Sequence, residues 1–221
     1  MITADFDVSK SLDILLKCWE LAKKNYSLIL GVSVLGFILH KVVSVIPLFG
    51  FVLSPVIAVI ITAGLLRITK KLYHGESASF DELFYFFKML SERGRLVKLG
   101  LLAALVIFVF RMLFFVLTFF NPFSSGVEFF VGVFESFTLF FISILVLPEM
   151  IYRGQNTQSA FDIASKLFKS YWPFWLSLLM ISWLFATATT MLLVVPFFLL
   201  YLPTIAFLPY VLNQEMKITV Y

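Results

Sequence analysis

The chain has 221 residues, of which 61% are hydrophobic and 14% charged, with a mean hydropathy of +1.01 and a formal net charge of +4. Soluble domains run at about 45–50% apolar and about 25% charged, so water is excluded as the main solvent of this protein. The basic residues flank apolar runs and do not gather on a polar module, which argues against nucleic acid and for anionic headgroups as their partner. The single cysteine, Cys18, excludes an internal disulfide or a thiolate metal cluster.

Residues 1–25 contain Asp5, Asp7, Asp13 and Glu20 and no apolar core of signal-peptide type, so no cleavage is expected. A helix capped by Asp7 or Ser9 would align Val8, Leu12, Leu15, Leu16, Trp19 and Ala22, with Lys10, Asp13, Lys17, Glu20 and Lys24 opposite. It reads as a cytoplasmic amphipathic helix, lying on the membrane surface or on the protein's own cytoplasmic loops. Crossing the hydrocarbon takes about 20 apolar residues. Residues 27–66 supply two such spans, broken at Pro47, with His40 and Lys41 near the far end. Residues 67–98 form the largest polar segment, where Ser79-Phe80-Asp81-Glu82 matches a capping box and predicts a second surface helix over 80–91. Residues 99–147 hold the third and fourth spans around a turn at 121–126 that carries no basic residue, and Pro148 is expected to end the fourth. Residues 148–173 form a second cytoplasmic connection with a short amphipathic helix from Ser159. Tyr171, Trp172 and Trp175, with Trp19, read as interfacial anchors. Residues 174–212 give the fifth and sixth spans, with Pro203 and Pro209 in the sixth, and 213–221 a cytoplasmic tail.

Threaded this way, fifteen of the 17 Lys and Arg residues fall on one side; Lys41 lies opposite and Arg111 lies within the bilayer. The bias of cytoplasmic loops toward Lys and Arg therefore places both termini of a membrane protein in the cytoplasm. The fold class expected is a single-domain, all-α integral membrane protein with six transmembrane helices and two or three interfacial amphipathic helices. Sliding the chain by 149 residues lays Asp13-Ile14 on Asp162-Ile163, Lys17 on Lys166 and Val45-Ile46-Pro47 on Val194-Val195-Pro196. A parallel internal repeat about an axis along the membrane normal would account for this, and so would shared apolar composition.

A charge at the bilayer centre costs about 2.5–3.5 kcal/mol on insertion scales, so Arg111 and Glu135 each need a partner. Arg111 lies ten residues before Asn121 and Glu135 nine after Gly126, which at about 1.5 Å per residue sets both at one depth and predicts an ion pair between spans three and four. Such a pair either pins the hairpin or forms a site for a proton, an ion or a headgroup. Glu149 and Arg153 are spaced to pair on one helical face. Ser182, Ala186 and Thr190 form a small-residue stripe of the kind that marks helix contact. His40 and His74 have no carboxylate or thiol at ligand spacing, so neither a metal nor a cofactor is expected. No nucleophile motif, phosphate-binding glycine loop or zinc helix accompanies the polar residues, which points away from an enzyme.

Gly64-Leu65-Leu66-Arg67, Gly75-Glu76, Ser79-Phe80-Asp81-Glu82-Leu83-Phe84 and the entry helix Trp19-Glu20-Leu21-Ala22-Lys23-Lys24-Asn25 resemble a broad group of six-span bacterial inner-membrane proteins. The group includes families of uncharacterised function and the membrane domain of some glycerophosphodiester phosphodiesterases; Arg153-Gly154 and the segment from Ser159 to Trp172 extend the resemblance. What it implies is an integral inner-membrane protein without an activity of its own, since no soluble phosphodiesterase domain is present in these residues.

The expected function is thus non-enzymatic binding of membrane lipids or of a membrane-protein partner, as a scaffold or as an immunity-type protein. The alternative is a small transporter or channel that uses broken helices and the Arg111/Glu135 pair. A dry, filled interior would favour binding a partner; a polar cavity reaching the pair would favour transport. Oligomeric state stays open, because lipid-facing and subunit-facing apolar surfaces have similar compositions.

Overall fold

The computed structural model describes residues 8–46, 49–119, 124–192 and 197–220, with side chains at all of these except 8–9, 90–91, 117–119, 124–130, 183, 185–192, 197–198 and 216–220. The chain is all-helical, 91% of it in helix, and no strand occurs among the described residues. Among the described residues, four helical stretches are long and apolar enough to cross a membrane: Tyr26–Ser44, Gly50–Tyr73, Glu92–Val116 and Val131–Arg153. Trp172–Ser182 is apolar but shorter, and the fifth and sixth sequence-predicted spans meet at residues 193–196, outside the described residues.

Helix α1 (Val8–Lys24) ends in Lys23 and Lys24, cations that suit the partial negative charge of a helix C-terminus. It buries Ile14, Cys18 and Ala22, which recur every four residues, and leaves Leu12 and Leu16 exposed. Helix α2 (Tyr26–Ser44) leads to α3 (Gly50–Tyr73), the hub of the structure, which packs on α2 and on several of the later helices. Pro55 sits inside α3 without ending it, whereas Pro47 lies outside the described residues.

The second surface helix departs from expectation. Phe80–Phe84 is a 3-10 turn, followed by the short α4 (Tyr85–Lys88), and Met89 is extended before α5 (Leu90–Phe119) begins. Ser79 caps the turn without a side-chain hydrogen bond, so the capping box is not made. Glu82 instead faces two cations of α3, with Lys71 Nζ at 2.7 Å and Arg67 Nε at 3.3 Å, and that double attraction outweighs a single bond to a backbone N–H. Arg67 also stacks 3.8 Å from the Tyr85 ring centroid. Gly64 lets the backbone at Leu83 lie directly on α3, and Gly100 of α5 lies where a Cβ would come within 2.5 Å of Val56 Cα.

Helix α6 (Ser124–Phe141) packs on α5 and runs into a π turn (Ile142–Val146) and then α7 (Leu147–Arg153). Pro148 therefore does not end this helix. Its missing N–H and its ring would disrupt an ordinary turn, and the wider π turn immediately before it absorbs both faults. The helix stops at Gly154, whose φ of 67° is open to glycine at little cost and whose N–H closes on the Glu149 carbonyl. Helix α8 (Thr157–Ser170) is capped by Asn156, which accepts from the Ser159 N–H at 2.8 Å. Helix α9 (Trp172–Leu192), a second π turn (Phe197–Tyr201) and α10 (Leu202–Val220) complete the chain.

The core gathers where α1, α4 and α8 lie, at what we term the basic end of the bundle. Leu66 and Ile68 of α3, Leu96 and Leu99 of α5, Leu145 and Leu147, Trp175 and Leu178, and Leu208 and Leu212 are all buried there. Towards the far end the helices present exposed apolar side chains such as Val45, Phe49, Phe115 and Val116. Helix α1 packs on α9 and α10, and α8 packs on α7, α9 and the first π turn.

Candidate functional site

A cavity of about 770 Å3 opens among α2, α3, α6 with its π turn, α9 and α10. That volume lies within the roughly 300–1,000 Å3 typical of small-molecule sites. Its walls are mostly apolar, from Phe37 and Ile61 to Leu139, Phe140 and Ile205; among the described residues no Lys, Arg, Asp or Glu lines it, and His40 does. The cavity is also open at the side. Its lining residues Val133, Leu176 and Met180 are 39%, 47% and 55% exposed. Helix α6 packs on α5 and its own π turn, whereas α9 packs on α1, α8 and the second π turn, and between the two helices lies the gap.

Among the hydroxyl-bearing side chains that line the cavity, four from different segments lie at comparable depth, with Ser136 of α6 further out. Ser33 is seven residues from the start of α2, Thr62 eleven from the end of α3, Ser143 ten from the end of α7 and Ser182 ten from the start of α9. At about 1.5 Å per residue they form a band roughly 10–16 Å from the basic ends of their helices. Ser182 is buried and its Oγ lies 3.2 Å from the Tyr201 hydroxyl, a link from α9 to the second π turn. Ser33 is 6% exposed and its Oγ has no hydrogen-bond partner, a state that costs about 1–3 kcal/mol for a buried hydroxyl. Further out, His40 Nδ1 lies 3.0 Å from the Ser54 hydroxyl.

Arg111 and Glu135 are brought together: the Arg111 Nε–H donates to the Glu135 carboxylate, tying α5 to α6. Phe110 and Phe134 stack beside them, with centroids 3.4 Å apart. The pair stands outside the cavity, on the periphery, with the Arg111 side chain 51% exposed. Glu149 and Arg153 are joined at 3.1 Å, and Glu149 is more deeply buried than a surface pair would be, at 2%.

The four aromatic residues expected at the interface divide. Trp172 is exposed, and Trp19 and Tyr171 are half-buried, with Lys23 Nζ 5.3 Å from the Trp19 ring centroid. Trp175 is instead a core residue, 1% exposed, its Nε1–H donating to the Leu167 carbonyl at 3.2 Å. A buried indole needs such an acceptor, and the end of α8 supplies it. Of the small-residue stripe, Ser182 is placed as described, and the side chains of Ala186 and Thr190 lie outside those described.

A second hollow, of about 540 Å3, lies at the basic end between α1, the end of α3 and α10. Lys17 and Glu215 meet there at 2.5 Å, with Lys10 3.3 Å from the same carboxylate. The hydrogen bond from Lys17 holds the Glu215 carboxyl below its usual range, and the same bond raises Lys17. Beside it the Tyr210 hydroxyl lies 3.0 Å from His74 Nε2 and accepts from the Gln214 amide at 2.8 Å. No group of three metal-ligating side chains occurs among the described residues.

No protein-family model matches the chain, and no curated protein or solved structure matches it. The chemistry of the site is therefore read from its own residues. The hydroxyl band was the feature that sequence reasoning missed. Its only signal is a scatter of Ser and Thr, several in each apolar run, of which one per helix reaches the band only when the helices are assembled.

Proposed function

We propose that this protein is a non-enzymatic, six-span bacterial inner-membrane protein, with both termini cytoplasmic, that holds an amphiphilic lipid in the cavity between α2, α3, α6, α9 and α10. The observation that carries the reading is the cavity itself: mostly apolar, without Lys, Arg, Asp or Glu among its described lining residues, and open sideways at residues of helices suited to hydrocarbon. A mouth in that position takes its ligand from the bilayer. The resemblance to six-span inner-membrane proteins and to the membrane domain of glycerophosphodiester phosphodiesterases agrees with a binding role, and a parallel repeat would explain why surface helices α1 and α8 each precede a pair of apolar segments. A scaffold or immunity role for a membrane-protein partner is compatible with lipid in the cavity. Transport through the Arg111/Glu135 pair is disfavoured, because the pair does not line the cavity.

The test is lipid analysis of protein extracted with its native bilayer. A stoichiometric lipid is expected with the wild type and is expected to be lost from Ala206→Phe, which fills the cavity from α10. An identical lipid complement in both would overturn the reading.

A further inference from the structure

We infer that the ligand of this cavity is an uncharged lipid carrying an oxygen function, which it buries at the hydroxyl band and hydrogen-bonds to Ser33. The inference rests on the lipid-binding reading and specifies its chemical class. Two independent features define that class. The first is the wall, which among the described residues contains no Lys, Arg, Asp or Glu to neutralise a phosphate, a carboxylate or an ammonium group, and whose imidazole, His40, is engaged with the Ser54 hydroxyl away from the band. An ion moved into such a site from water would be desolvated without compensation, so a charged headgroup stays outside. The second is Ser33, more than nine-tenths buried, lining the cavity, and without a partner for its hydroxyl.

A serine within a helix commonly returns its hydroxyl to a carbonyl one turn back, as Thr204 does to Leu200 at 2.6 Å and Thr138 does to Phe134 at 2.9 Å. Ser33 does not. One staggered step about its single χ1 torsion moves the hydroxyl without moving α2. An oxygen presented from the lumen would satisfy it. Thr62 and Ser143 offer further hydroxyls at the same depth, and Tyr201 with Ser182 closes the band on the far wall. Outside the band the walls are mostly aliphatic and aromatic, with Ile61, Leu65, Leu139, Phe140 and Ile205 suited to a hydrocarbon chain and His40 and Ser136 as polar exceptions. A hydroxyl, ester or ketone oxygen on a long chain fits these demands, whereas a bare alkane leaves Ser33 unsatisfied and an alkyl phosphate brings a charge the walls cannot meet.

Native mass spectrometry of the full-length protein released from detergent tests this with three probes of equal chain length: hexadecanol, hexadecane and hexadecyl phosphate. The wild type is expected to retain one hexadecanol in preference to the other two. Ser33→Ala is expected to lower hexadecanol retention about five- to tenfold, the scale of one neutral hydrogen bond, and to leave hexadecane unchanged, while Ser33→Thr restores it. Equal retention of hexadecanol by the wild type and Ser33→Ala, or retention of hexadecyl phosphate as tight as that of the alcohol, overturns the inference while the cavity reading stands. Failure of the wild type to retain any probe beyond the level of Ala206→Phe overturns both.

Discussion

Lys17 and Glu215 are 198 residues apart in the chain and 2.5 Å apart in space, and with Lys10 they clasp the first helix to the last. The bond lowers the carboxyl and raises the ammonium. Stability from the lowered Glu215 is present above the ordinary carboxylate pKa and is lost as pH falls through the lowered value. Stability from the raised Lys17 is present below the ordinary lysine pKa and is lost as pH rises through the raised one. The clasp is therefore at full strength from about pH 5 to pH 10. Lys17 is more than half exposed, so water screens the pair and its worth is held to about 0.2–1 kcal/mol. Glu215→Gln is expected to speed amide exchange in α1 by up to about fivefold at pH 7, measured by mass spectrometry, and wild type and variant should converge as the pH falls through the lowered Glu215 value.

The Arg111/Glu135 pair gives a second test. Glu135→Leu leaves a guanidinium at mid-span and is expected to cost about 2.5–3.5 kcal/mol of insertion or thermal stability. Arg111→Leu combined with Glu135→Leu should recover most of that loss, because removing both charges also removes the need for a partner. A double variant as unstable as the single one would show that the pair does more than hold the α5/α6 hairpin.

Two features of this fold are readable from the chain because each depends on a sum over neighbouring residues. Long apolar runs add up residue by residue, and Arg111 meets Glu135 because nearly equal helical lengths separate each from the turn. Three others are not. Pro148 reads as a stop, yet the π turn at Ile142–Val146 carries the helix past it. Trp175 reads as an anchor, yet the Leu167 carbonyl admits it to the core. The cavity is a volume that five helical segments leave unfilled, and no local pattern encodes a void.

Close backbone approaches predict which glycines matter. A Cβ at Gly64 would collide with the backbone of Leu83, whereas a Cβ at Gly132 would meet nothing within 4 Å. Gly64→Ala is expected to lower stability by about 1–3 kcal/mol through overpacking, and Gly132→Ala to be neutral or slightly stabilising as a helix former replaces glycine. Thermal denaturation of both variants in one detergent makes the comparison direct.

Cys18 is buried on the inner face of α1, and burial pushes its thiol pKa well up. The thiolate is the reactive form, so maleimide labelling of the folded protein at pH 8 should proceed far more slowly than that of a free thiol and should accelerate sharply on unfolding. Rapid labelling in the native protein would mean that α1 lifts from its seat under these conditions.

Orientation is tested in a Cys18→Ser background with Gly94→Cys, an exposed position whose surroundings are open. A membrane-impermeant maleimide added to intact cells should leave it untouched, and cell disruption should make it reactive. Labelling from outside would reverse the assignment of the basic end to the cytoplasm.

The clasp also imposes an order on biosynthesis. Helix α1 is made before α9 and α10, on which it packs in the assembled structure, where Ile14, Cys18 and Ala22 are buried. Throughout translation the leading helix must park its apolar stripe elsewhere, and the bilayer surface is the shelter within reach. Docking of α1 is thus deferred until α10 has been made, so a nascent chain arrested before α10 would leave α1 without its main partner however complete the intervening hairpins.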